Sequence, residues 1–116
     1  MSPALVARSQ RAKSDARSAA VEQLSAGNRA LLDGAVQRYL SGRIALQDGV
    51  TEMAAALTNR ETDALLQINA DMTRQFTPAP VDRPPDARGA ASRFLFIVSI
   101  TEDQIAAATA RGIEFR

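Results

Sequence analysis

Residues 93–100 read Arg93-Phe94-Leu95-Phe96-Ile97-Val98-Ser99-Ile100, an apolar run rich in aromatic and β-branched side chains and of strand length. As a strand it points Phe94, Phe96, Val98 and Ile100 to one face and Leu95 and Ile97 to the other, so both faces require cover. A single strand also leaves backbone donors and acceptors unpaired along both edges. The tail Ile113-Glu114-Phe115-Arg116 alternates and could add a short second strand, but it pairs with only a few residues. The strand then pairs with its copy in a second subunit, joins the sheet of another protein, or closes within the chain under the helices.

The rest of the chain predicts helices. Residues 3–26 are rich in helix formers, yet the apolar positions are mostly alanine and bury little. Gly27-Asn28 offers a break with Asn28 as N-cap. Leu31, Leu32, Ala35, Val36, Tyr39 and Leu40 then recur at helical spacing up to Ser41-Gly42. A third helix over about 46–57 carries Val50, Met53, Ala54 and Leu57 on one face, with Gly49 as a local weakness. Thr58-Asn59-Arg60-Glu61 has the form of a capping box, and the helix it opens carries Leu65, Ile68 and Met72 before stopping ahead of Pro78. Residues 77–88 contain four of the five prolines and read as a semi-rigid spacer, with Gly89 to Ser92 as its flexible end. Thr101 to Gln104 forms a second capping box before an alanine-rich helix, which Gly112-Ile113 would cap.

The expected fold is therefore mostly α with minor β. An antiparallel helical bundle (1–76) is followed by a Pro-rich spacer (77–92) and a C-terminal strand, helix and short strand unit (93–116).

Composition narrows function by exclusion. Without His or Cys the chain lacks a thiol nucleophile, a disulfide, a thiolate metal site and the usual near-neutral general base. Glu61 with Asp63 and Glu102 with Asp103 are too close in sequence to converge on one reacting atom from a helix. Helix N-terminal charge already accounts for most of them. No phosphate-cradling glycine loop and no calcium-loop spacing occurs, so no cofactor and no metal is expected. No apolar run is long enough to span a bilayer and the first residues lack an uninterrupted apolar signal core, which predicts a cytoplasmic protein without membrane attachment.

Fourteen basic and 13 acidic residues nearly cancel overall, but their distribution is uneven: residues 1–43 sum to +4, residues 44–76 to −3 and the remainder to zero. A basic front packed against an acidic middle explains this most simply. These exclusions leave a non-enzymatic protein-protein interaction module, an adaptor, inhibitor or regulator of bacterial or phage type. It is expected to be a homodimer associating through the C-terminal strand, with Phe94, Phe96, Val98, Ile100 and Phe115 at the contacts. The alternative is a DNA-binding regulator. It would use the 51–75 helices, whose turn superficially resembles a helix-turn-helix unit, or the basic residues Arg8, Arg11, Lys13 and Arg17.

Overall fold

The computed structural model describes residues 3–76 and 83–115, with the side chains of residues 3–6 and 102 excepted. Six helices account for the regular structure among the described residues: α1 (Pro3–Glu22), α2 (Ala26–Leu40), α3 (Leu46–Ala56), α4 (Asn59–Arg74), α5 (Ala87–Ser99) and α6 (Glu102–Ala110). No strand occurs among the described residues, which corrects the expected C-terminal β unit. The run 93–100 lies in α5 up to Ser99, with Ile100 as its C-cap. Residues 113–115 have no regular structure, and Arg116 lies outside the described residues.

The physical reason is cover. A helix satisfies its own backbone, so an isolated apolar segment takes that form when neighbours surround it. α5 packs against α1, α2, α3 and α4. Ala91, Ser92, Phe94, Leu95, Phe96, Val98 and Ser99 are all buried, and only Arg93 and Ile97, one turn apart, face outward from this part of the helix. Burial on almost every side outweighs the modest helix penalty of its β-branched and aromatic residues. Residues 87–92, read from sequence as spacer, are the first turns of this helix, opened by the Asp86 carboxylate accepting from the Gly89 amide at 3.1 Å. Residues 77–82 of the spacer lie outside the described residues.

Around α5 the sequence signals place each helix. Ala12, Ala16 and Ala20 form the buried stripe of α1, continued by Leu24 beyond its end, and the small size of the alanines lets α1 lie close on α4 and α5. Ser25, rather than Asn28, is the N-cap of α2, its hydroxyl accepting from the Asn28 amide at 3.3 Å. Asn28 instead reaches across to the α3–α4 junction. Its amide Nδ2 donates to the Ala56 carbonyl at 3.2 Å and to Glu61 Oε1 at 2.9 Å. The capping box of α4 is formed, with Thr58 Oγ1 accepting from the Glu61 amide at 3.1 Å and Glu61 Oε1 from the Thr58 amide at 2.9 Å. Glu61 Oε2 also accepts from the Ser25 amide at 3.0 Å. From the other side, the Arg88 guanidinium of α5 donates to the Leu57 carbonyl and, at 2.6 Å, to Asn59 Oδ1. The short link between α3 and α4 is thus held from α2 and α5 together.

Gly49 of α3 is a point of close approach rather than a weakness. A Cβ there would overlap the Phe96 ring, lying 2.7 Å from Cε1. Gly42 ends α2 with φ +77, and the Arg43 amide donates to the Arg38 carbonyl at 2.9 Å, closing a Schellman turn. Gly42→Ala is expected to lower stability by about 1–2 kcal/mol, because alanine is strained at that φ and its methyl would sit 2.9 Å from Ile113 Cγ2. Gly34, in mid-α2 with open space around its Cα, provides the contrast: Gly34→Ala should raise stability by about 0.5–1 kcal/mol. Urea unfolding of both variants checks the opposite signs.

Candidate interaction groove

α1 and the C-terminal end of α5 diverge where the chain turns into α6, and the space between them is a cavity of about 250 Å³. Gln10, Lys13, Ser14 and Arg17 recur along α1 and make one wall. Ile97, Val98 and Ile100 at the end of α5, with Thr101 and Asp103 at the start of α6, complete the lining. Ile97 is 46% exposed, and with Phe76 it is one of two large apolar residues so exposed among the described residues. Among the described residues neither Lys13 nor Arg17 makes an ion pair within 4.0 Å. The groove therefore brings the exposed Ile97 together with Lys13 and Arg17 of α1 and Asp103 of α6.

Arg17 also lines a second cavity of about 280 Å³, together with Asp33 and Gln37 of α2, Ser99 and Gln104. The Ser99 hydroxyl is buried without a hydrogen-bond partner among the described residues, as is that of Thr62 in α4. A third cavity, about 570 Å³, lies between α4 and residues 83–90, where Arg83 pairs with Asp63 at 2.7 Å.

The structure distributes the residues proposed as protein contacts. Phe94, Phe96 and Val98 are core residues, 5%, 0% and 4% exposed. Their burial removes Phe94 and Phe96 as contacts in the folded protein, while Val98, though buried, is among the residues lining the groove. Ile100 is half-buried and lines the groove. Phe115 is half-buried against Tyr39, with ring centroids 5.0 Å apart, and so holds the chain end onto α2. The exposed apolar residue of α5 is Ile97, which the strand reading placed on the second face. Ile97 lies four residues beyond Arg93, and the two form the outward side of this part of α5.

The basic residues of α1 do not act as one patch. Arg8 turns toward α4, where its guanidinium lies 5.4 Å from the Phe76 ring centroid and donates to the Gln75 carbonyl at 3.2 Å. Arg11 is exposed, while Lys13 and Arg17 line the groove. The helix-turn-helix alternative meets a mixed surface. α3 and α4 pack mainly on α5, and the exposed residues of α4 include Asp63, paired with Arg83, and Asp71, paired with Arg74 at 2.8 Å.

Carboxylates do not converge either. Glu61 is 2% exposed and committed to capping, and Asp63 points to Arg83. Burial alone would raise the Glu61 pKa. Hydrogen bonds from the Thr58 and Ser25 amides and the Asn28 side chain outweigh it and hold the carboxyl below the usual carboxylate range. Among the described residues no three acidic groups lie close enough to hold a metal ion, and no helix is long and apolar enough to cross a membrane. No family model matches the chain, and comparison with curated proteins and with solved structures finds no match.

Proposed function

We propose that the chain is a non-enzymatic protein-binding module, an adaptor or regulator, and that the α1–α5 groove is its contact surface. The observation that carries this reading is Ile97, an isoleucine 46% exposed beside a cavity whose wall carries Lys13 and Arg17. Exposed apolar floors with polar rims are the usual anatomy of protein contacts. A nucleic-acid role has less support, because Arg8 is engaged with Phe76, Lys13 and Arg17 share their cavity with Asp103, and α4 presents acids beside its arginines.

The test is photo-crosslinking from a benzoylphenylalanine placed at position 97, with the exposed position 60 on α4 as control. Purified protein and an extract of the cells of origin are both irradiated. Discrete protein adducts from position 97 and none from position 60 are expected. Equal labelling from both positions, or none from either, would count against the groove as a contact surface.

A further inference from the structure

We propose that residues 101–115 form a latch: a C-terminal arm that swings away from α2 as one unit about Ile100 while α1 to α5 stay folded. The bonding pattern is the argument. The arm is well tied within itself. Thr101 and Gln104 exchange hydrogen bonds at 3.0 and 3.2 Å at the start of α6. At its far end Gly112, at φ +84, turns the chain so that the Ile113 amide donates to the Ala108 carbonyl at 3.2 Å. Among the described residues, however, no hydrogen bond or ion pair joins the arm to the rest of the protein. Each of α1 to α5 has such a tie. Arg8 of α1 donates to the Gln75 carbonyl, and Arg29 of α2 donates to the Val21 carbonyl at 2.9 Å. Arg38 of α2 pairs with Glu52 of α3 at 2.6 Å, Glu61 of α4 accepts from the Ser25 amide, and Arg88 of α5 donates to Asn59.

Apolar contact holds the arm, and at few points. α6 has α2 as its main neighbour, whereas α5 packs on four helices. Ala108 is fully buried, Ile105 and Ile113 are half-buried, the Ile113 side chain packs at the Gly42 turn, and the Phe115 ring meets Tyr39. The junction is loosely filled as well. One cavity adjoins Ile100, Thr101 and Asp103, another adjoins Ser99 and Gln104, and the buried Ser99 hydroxyl has no partner among the described residues. Among the described residues, opening therefore separates apolar surfaces only. A segment with few buried contacts opens locally, at less cost than global unfolding. Phe115 is the clasp, because α6 is bonded at both of its ends and release of the ring frees the helix as a whole. Thr101 and Asp103 also line the α1–α5 groove, so the position of the arm sets the lining of the groove at that end.

The chain has no cysteine, so a single introduced thiol reports on one place. The experiment follows labelling by a thiol reagent, over a urea series, of full chains carrying Ala108→Cys in the arm or Ala91→Cys in α5, both at positions with no exposure. Without urea Ala108→Cys should label at least about a hundredfold faster than Ala91→Cys, with a shallower urea dependence, since opening the arm exposes less surface than unfolding. Phe115→Ala should speed labelling of Ala108→Cys about tenfold. Glu61→Gln weakens ties that persist when the arm is open. It should speed labelling of Ala91→Cys about fivefold or more and leave that of Ala108→Cys within about twofold. Hydrogen exchange on the unaltered chain reads the same motion without a thiol: amides 105–110 should exchange together and ahead of those of α5.

Equal labelling rates and urea dependences at the two positions would overturn the latch, as would a Glu61→Gln change that speeds both alike. Labelling of Ala108→Cys unmoved by Phe115→Ala would also count against it. So would exchange graded from the chain end inward, the sign of fraying rather than of one unit. The position-97 crosslink reads the groove separately, so the latch and the protein-binding reading can each fail alone.

Discussion

Phe96→Ala is expected to cost about 3–5 kcal/mol, a large share of the roughly 5–15 kcal/mol that holds a small domain together. The ring is fully buried in the central helix and lies against the α3 backbone at Gly49. Gly49→Ala tests the same contact from the other side. In an open helix that change gains about 1 kcal/mol, but here the added methyl would overlap a ring enclosed on all sides, so a net loss of about 1–3 kcal/mol is expected. The two changes should not add: with the ring removed, the methyl introduced by Gly49→Ala enters the vacated space, and the double variant should exceed the additive expectation by about 1 kcal/mol or more. Urea unfolding of the four proteins gives the cycle. Additivity within about 0.5 kcal/mol would mean that Gly49 and Phe96 do not restrict one another.

The second large effect falls on Glu61. Its two oxygens take donors from Ser25, Asn28 and Thr58, so Glu61→Ala leaves the Ser25 and Thr58 amides without an acceptor and leaves Asn28 Nδ2 with the Ala56 carbonyl alone. A loss of about 2–4 kcal/mol is expected. Glu61→Gln keeps the volume but replaces one accepting oxygen with a donor, and should recover only part of it. The charge adds a pH dependence. Because the folded-state pKa of Glu61 is lowered, its ionised form stabilises the protein fully above the unfolded carboxylate value of about 4.3. That stabilisation is lost as pH falls through the lower folded value. The stability gap between wild type and Glu61→Gln should therefore narrow from pH 7 to pH 3. A gap of constant size across that range would show that ionisation of Glu61 plays no part.

Local chemistry was legible in the sequence, and tertiary cover was not. Thr58 with Glu61 and Thr101 with Gln104 carry their capping partners within four residues, so pattern alone locates the starts of α4 and α6. Gly42 and Gly112, at φ +77 and +84, mark helix ends for an equally local reason. The run 93–100 is different. An apolar segment with no polar face carries no period, and strand and buried helix share that signature. What decides is whether neighbours surround it, and those neighbours come from residues far earlier in the chain. Asn28 illustrates the same limit: its residue type suits an N-cap, but Ser25 takes that place and Asn28 bonds to Ala56 and Glu61, contacts that exist only after α2 meets the α3–α4 junction. The candidate site divides along this line too. Lys13 and Arg17 are visible as a basic run, but their separation from Arg8, and their meeting with Ile97, depend on which side of α1 lies against α5.

The central place of α5 also bears on the protein's birth. The helix that α1, α2, α3 and α4 all pack against is encoded after all four of them, so the chain before it leaves the ribosome without the surface that would gather it. At a synthesis rate of roughly 5–20 residues per second, the first four helices wait on the order of seconds for Ser99 to be made. Through that interval their apolar stripes are uncovered, and a chaperone or a ribosome pause near residue 76 would act on an assembly still lacking its keystone.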